Sequence, residues 1–184
     1  MGTEFETQIL EINHEELAEK LRKLGAKETK EILQKRWVYD IECLSHINPS
    51  MGEWIRLREA NGKSTITYKN KRGTGLSETE EIEFEISDFE KAAEVLGKLK
   101  GFEGKYYQEN KRHKFVLNGI EYTIDSWPKI PTFLEIEAES EEKVHEGIKL
   151  LGLSEKTHAH YGLITIYSKY GIDLRSYKEI RFDK

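Results

Sequence analysis

The chain has 184 residues, a formal net charge of −5 at pH 7, 37% hydrophobic and 34% charged residues, and one cysteine. That length allows a single domain with a real core, and the acidic total argues against a general nucleic-acid binder. Cys43 alone builds no disulfide framework and no multi-cysteine zinc site, and suits a small buried apolar position in a reducing cytoplasm; no basic-then-apolar leader is seen and no apolar run is long enough to cross a bilayer, so a soluble cytoplasmic protein is expected, with no membrane or nucleic-acid partner.

In chain order, a first alternating strand near 3–12 leads into an amphipathic run with Leu17, Leu21 and Leu24 at helical spacing. Strands follow near 34–43, 53–60 and 63–71, the last two joined by Asn61-Gly62, the dipeptide of a tight hairpin turn. A Glu-rich strand near 78–87 precedes a second helix with Ala92, Val95, Leu96 and Leu99. Strands near 107–117 and 120–127 flank Asn118-Gly119, and a strand near 133–140 leads to a third helix with Val144, Ile148 and Leu151. Strand, capping residue and helix thus recur three times, and the three apolar stripes are expected to face the core. From His160 on the chain reads either as a short helix or as a strand followed by a polar tail; the expected division is a domain over 1–170 and a tail over 171–184.

Alternation places one set of side chains together on one face: Glu4, Glu6 and Gln8; Arg56 and Arg58; Thr65, Thr67 and Lys69; Glu81, Glu83 and Glu85; Asn110, Arg112 and Lys114; Thr123 and Asp125; Glu135 and Glu137. The opposite face is apolar, with Ile55, Leu57, Ile82, Phe84, Tyr122, Ile124, Leu134 and Ile136. Two arrangements explain this. An open antiparallel sheet would leave the charged face wet. A closed barrel would carry helices on its apolar outside and charges of both signs within, a lining that suits a polyanion and its divalent cations: carboxylates for hard ions, Arg and Lys for phosphate oxygens.

The chain resembles the CYTH family, the triphosphate tunnel metalloenzymes, which include class IV adenylate cyclases, thiamine triphosphatases and inorganic triphosphatases. The residues that carry the likeness are Glu4 and Glu6 of "EFETQ", Arg56 and Arg58 of "IRLR", Lys69 of "TITYKN", the acidic strand "TEEIEFEI", Arg112 of "NKR", Asp125 of "YTIDSW", and Glu135 and Glu137 of "FLEIE". Together they span about residues 3–168. The resemblance implies an α+β fold, an eight-stranded antiparallel β-barrel or tunnel with a charged interior and helices packed outside. It implies that Arg56, Arg58, Lys69 and Arg112 bind a triphosphate, with Lys114 a further candidate. Glu4, Glu6, Glu135 and Glu137 would hold Mg²⁺ or Mn²⁺, with Glu81 and Asp125 assisting catalysis. The implied substrate is a small triphosphate such as tripolyphosphate, thiamine triphosphate or ATP, handled by a monomer or homodimer.

Two positions depart from the family pattern: Gln8 and Asn110 stand where lysines are expected. Losing two cations weakens the hold on developing phosphate charge, so hydrolysis, cyclisation of ATP to cyclic AMP, and binding without turnover all remain open, with hydrolysis preferred because no residue set reads adenine. Gly73 and Gly75 lie among basic residues but lack P-loop spacing, and His158 with His160 reads as an incidental pair. Tyr161 is expected to pack at one end of the barrel.

Overall fold

The computed structural model describes residues 5–43, 51–72, 79–154, 158–159 and 161–183. Glu4, Gly73, Gly75, His160 and the side chain of Cys43, all singled out above, lie outside the described residues. All eight expected strands form: β1 (Phe5–Ile9), β3 (Ile32–Cys43), β4 (Gly52–Ala60), β5 (Lys63–Lys71), β6 (Thr79–Ile86), β7 (Gly104–Leu117), β8 (Ile120–Ser126) and β9 (Phe133–Ala138). Among the described residues three two-residue strands join them, β2 (Lys27–Glu28), β10 (His158–Ala159) and β11 (Glu179–Ile180), along with helices α1 (His14–Lys23), α2 (Phe89–Lys98), α3 (Glu141–Leu150) and α4 (Leu163–Lys169). The fold is α+β on an antiparallel sheet, and among the described residues no helix is long and apolar enough to cross a membrane.

The local signals act as physics requires. Asn13, Asp88 and Ser140 cap α1, α2 and α3, each side chain accepting from the backbone N–H three residues on. Asn61 and Asn118 take φ of 51° and 54°, followed by Gly62 and Gly119 at 75° and 77°, so both hairpins close with two-residue turns whose paired positive angles match the strand twist.

The chain forms two compact units, Met1–Ile32 with Lys111–Tyr161, and Leu33–Asn110 with Gly162–Lys184. In the first, the strands run β10-β1-β9-β8-β7, and β2 pairs with β7. Ile124 faces Leu134 and Tyr122 faces Ile136 across the β8–β9 ladder. These four are buried with Leu17 and Leu21 of α1 and Val144 and Ile148 of α3. Gly147 lets α3 settle close: a Cβ there would lie 3.1–3.2 Å from Tyr122, Ile120 and Ile136.

In the second unit the order is β7-β3-β4-β5-β6, with α2 against β4 and a core of Tyr39, Leu57, Phe89 and Leu96. The expected core-facing stripe of α2 needs correction: Val95 and Leu99 are 61% and 49% exposed. Phe89, Ala92, Ala93 and Leu96 are the positions that follow the helical repeat onto the sheet, whereas Val95 points a third of a turn away and Leu99 is the C-cap with an extended backbone. Leu24, the C-cap of α1, is likewise exposed. The apolar face of β6 is also less covered than expected, with Ile82 and Phe84 exposed. The stretch expected as a polar tail carries structure of its own. Leu174 and Ile180 are buried, β11 pairs in parallel with β7, and the Arg181 guanidinium sits 3.9 Å from the Tyr107 ring centroid.

Candidate functional site

Register decides which side chains meet. In the first unit Glu6 lies opposite Glu137, Gln8 opposite Glu135, Thr123 opposite Glu135, and Arg112 opposite Asp125. The expected polar face is therefore continuous across four strands. Carboxylate oxygens of Glu6, Glu135 and Glu137 all fall within 4.8 Å of one another, a set able to hold a metal ion. Glu135 is the most constrained of them. Burial, with Glu6 and Asp125 adding repulsion against the help of Arg112 and Gln8, pushes its carboxyl up from 4.5 to about 7.

Arg112 donates from Nε to Asp125 Oδ1 at 3.0 Å and from Nη2 to Asp125 Oδ2 at 2.6 Å, a bidentate clamp on a fully buried carboxylate, and Nη2 reaches Glu135 Oε1 at 3.5 Å. Burial works against the Arg112 charge, but Asp125 and then Glu135 outweigh it and raise its pKa. Gln8 is buried and engaged at both ends of its amide: Nε2 donates to Glu135 Oε2 at 3.2 Å, and Oε1 accepts from the Tyr161 backbone N–H at 2.7 Å. Lys114 shares the face but is paired with Glu121, an acidic neighbour that the sequence reading did not single out although its parity matches Thr123.

In the second unit Arg56 lies opposite Thr67, Arg58 opposite Thr65, Thr67 opposite Glu83 and Lys69 opposite Glu81. Both arginines converge on one carboxylate, Arg56 Nη2 at 3.5 Å and Arg58 Nη2 at 3.6 Å from Glu83, which also accepts from the Thr67 hydroxyl at 2.5 Å. Burial first, and the adjacent Arg58 second, lower the Arg56 pKa. Its Nε is buried with no hydrogen-bond partner among the described residues. Lys69 Nζ pairs with Glu81 at 2.7 Å. On this cationic face the two arginines are held by long contacts to one carboxylate and Lys69 by a short one, and Arg56 has donor capacity left over.

One cation was missed. Arg36 on β3 lies opposite Arg58, and its Nη2 donates to Asn110 Oδ1 and, at 2.9 Å, to Gln34 Oε1. It thus brings a guanidinium beside the fully buried Asn110, one of the two positions where a lysine is absent. The signal was available: in strand 34–43 Trp37 and Tyr39 set the apolar parity, which puts Arg36 on the polar side.

The CYTH domain profile matches residues 4–162. No curated protein matches the chain. Among solved structures, a conserved hypothetical protein of Pyrococcus furiosus is similar at 28% identity over 83% of this chain and 92% of that one, with a TM-score of 0.65. A candidate adenylate cyclase of Vibrio parahaemolyticus, 18% identical over 91% of this chain and 98% of its own, shares the fold at a TM-score of 0.68. So does a candidate adenylyl cyclase of Hippeastrum, described as having a dominant triphosphatase activity, at 14% identity, 92% and 96% coverage and a TM-score of 0.56. With the profile spanning most of its length, the chain belongs to the CYTH family.

Proposed function

We propose that this CYTH chain is a divalent-metal-dependent phosphohydrolase acting on a small triphosphate within a charged β-tunnel. The observation that carries the reading is the carboxylate trio Glu6, Glu135 and Glu137, whose oxygens lie within 4.8 Å of one another, with burial first and the charge of Glu6 after it raising the Glu135 carboxyl to about 7. Three acids this close repel one another, and a bound cation relieves that repulsion. Oxygen-only donors of high charge suit a hard ion, Mg²⁺ or Mn²⁺, with Glu4 a fourth candidate. Such an ion, when bound, neutralises phosphate charge and acts as a Lewis acid.

The chain's own groups supply the rest. Arg56, Arg58 and Lys69 take the phosphate oxygens, the two arginines exchanging long contacts to Glu83 for shorter charge-assisted bonds and Lys69 sharing its charge between Glu81 and phosphate. Asp125 orients Arg112 toward the side of Glu135, so its part is to position a cation beside the carboxylates. Glu81 does the same for Lys69. Arg36 makes up in part for the lysine missing at 110, while Gln8, neutral, leaves Glu135 less compensated than a lysine would. Hydrolysis asks only for this cradle, the metal and an oriented water.

Product identification is the test. Tripolyphosphate and ATP, each with Mg²⁺ and with Mn²⁺, are incubated with the protein and the products followed by phosphorus NMR. Release of inorganic phosphate, lost in Glu6→Gln, is the expected result. Cyclic AMP with pyrophosphate from ATP, and inert tripolyphosphate, would replace this reading by a cyclase. Tight binding with no product would make the chain a binding module.

A further inference from the structure

Behind Arg112, on the opposite face of β7, lies a cluster that the triphosphate reading does not use. His113 is 6% exposed and its Nδ1 lies 3.0 Å from Nε2 of His14, the first residue of α1. His14 Nδ1 is 3.6 Å from Glu31 Oε2, and His113 Nε2 is 2.8 Å from Glu28 Oε1. Glu28 is itself clamped by Arg22, which donates at 2.8 and 2.6 Å. One potential ligand atom each from His14, Glu31 and His113 falls within 4.8 Å of the other two.

Proton counting shows what this arrangement lacks. Glu28 selects the His113 tautomer with hydrogen on Nε2, so Nδ1 offers its lone pair toward His14. His14 must then carry hydrogen on Nε2, and if it is neutral its Nδ1 presents a second lone pair to the Glu31 carboxylate. Two acceptors face each other unless His14 takes an extra proton. A metal ion between the two rings resolves the frustration. It would replace the proton shared by the rings and leave His113 Nε2–H on Glu28, the carboxylate–histidine–metal relay that orients metal-binding imidazoles. Tetrahedral coordination at about 2.0–2.1 Å per nitrogen sets two imidazole nitrogens about 3.3–3.4 Å apart, so the observed 3.0 Å needs to open by only a few tenths. Glu31, whose side chain is 37% exposed, is free to turn toward the ion.

We propose that His14, His113 and Glu31 form a second metal site in this chain, selective for a borderline ion of the zinc class and separate from the hard-ion carboxylate trio. Two imidazoles and one carboxylate prefer Zn²⁺, Ni²⁺ or Co²⁺ over Mg²⁺. The ion would tie the start of α1 to the middle of β7, 99 residues further along the chain. The site is structural in placement: its ligands lie on the face of β7 opposite Arg112.

The test titrates metal-stripped protein with Co²⁺ and, in competition, Zn²⁺, with Mg²⁺ in excess throughout so that hard-oxygen sites are filled. One equivalent of Co²⁺ should bind with the intense visible bands of a low-coordinate nitrogen site, Zn²⁺ should displace it, and Zn²⁺ should raise the melting temperature. His14→Ala and Glu31→Gln should each weaken Zn²⁺ binding at least tenfold. Glu6→Gln should leave it unchanged. His113→Gln removes a buried ring and is paired with His14→Ala, whose site is part-exposed, so that a folding failure in one leaves the other decisive. Wild-type Zn²⁺ affinity in folded His14→Ala, loss of Zn²⁺ binding in Glu6→Gln, or no Co²⁺ bound above Mg²⁺ background would each overturn the proposal.

Discussion

Glu135→Gln should make the metal-free protein more stable as pH rises above 4.5, with most of the gain present by about pH 7. The native carboxyl holds its proton up to about 7, against an ordinary value of 4.5, because burial and the neighbouring acids oppose its charge. A native state that binds a proton more tightly than the unfolded chain loses stability as pH rises between those two values, and the loss is complete above the higher one. The interval corresponds to roughly 3 kcal/mol at about 1.4 kcal/mol per pH unit. One effect reduces what the variant recovers: glutamine surrenders the 3.5 Å contact to Arg112, worth up to about 1 kcal/mol, while it keeps an acceptor for Gln8. The expected gain is about 2 kcal/mol at pH 8, shrinking to nothing or slightly reversed at pH 4.5.

Urea unfolding in EDTA, followed by tryptophan fluorescence to which the buried Trp127 of the same unit contributes, reads this across pH ~4.5–8.5. Excess Mg²⁺ or Mn²⁺ should invert the order at pH 8, stabilising the wild type and leaving the variant behind, because the ion binds only the folded trio. A variant less stable than wild type at pH 8 in EDTA, or a difference that does not change with pH, would refute the claim that Glu135 is forced into a hostile position to serve a cation.

Arg56→Ala and Arg58→Ala should each weaken tripolyphosphate binding by about 1.5–3 kcal/mol, the range for hydrogen bonds to charged groups, and calorimetry with Mg²⁺ present checks it; neither should unfold the chain, since their partners in the free protein lie 3.4–3.6 Å away. Asp125→Ala strands Arg112 beside a buried cavity and should cost about 3–5 kcal/mol of stability by urea unfolding. Gln8→Lys and Asn110→Lys restore the family's missing charges but should differ sharply. At position 8 the new ammonium faces Glu135, so phosphate release should rise and the Glu135 carboxyl should fall back toward its ordinary range, visible as an acid shift of the pH–rate profile. At position 110 it would meet Arg36 in a fully buried spot, and a loss on the order of 3 kcal/mol is expected.

Much of this was legible before any coordinate, for a specific reason: strand parity is a strict two-residue repeat, and a Glu-x-Glu or Arg-x-Arg strand assigns its faces without knowledge of the partner strand. That is why Glu135, Glu137, Arg56 and Arg58 fell on the correct side, and why Asn61-Gly62 and Asn118-Gly119 marked their hairpins to the residue. Helix faces were less secure. A stripe of Ala92, Val95, Leu96 and Leu99 fits the helical repeat on paper, yet the face turned to the sheet is that of Phe89, Ala92, Ala93 and Leu96, and Val95 falls outside it.

What stayed hidden depends on contacts between distant residues. A two-residue strand such as Glu179–Ile180 has no period to detect, so the terminal segment read as a tail although Ile180 is buried against β7. Gln8 and Asn110 read as losses because a missing lysine is visible in a motif, whereas the groups that replace its contacts are not. Gln8 is tied to Glu135 and to the backbone of Tyr161, 153 residues away; Asn110 is held by Arg36, 74 residues away. His14 and His113 show the limit most plainly. On sequence they sit in different elements, one opening a helix and one beside Arg112 in a strand. Only the pairing of β2 with β7, Lys27 against Val116 and Glu28 against Phe115, draws Glu28, Glu31 and both rings into one place. A motif search keyed to short ligand spacings passes over side chains that sheet register brings together, so the carboxylate trio on one face and the imidazole pair on the other differ in how they can be found.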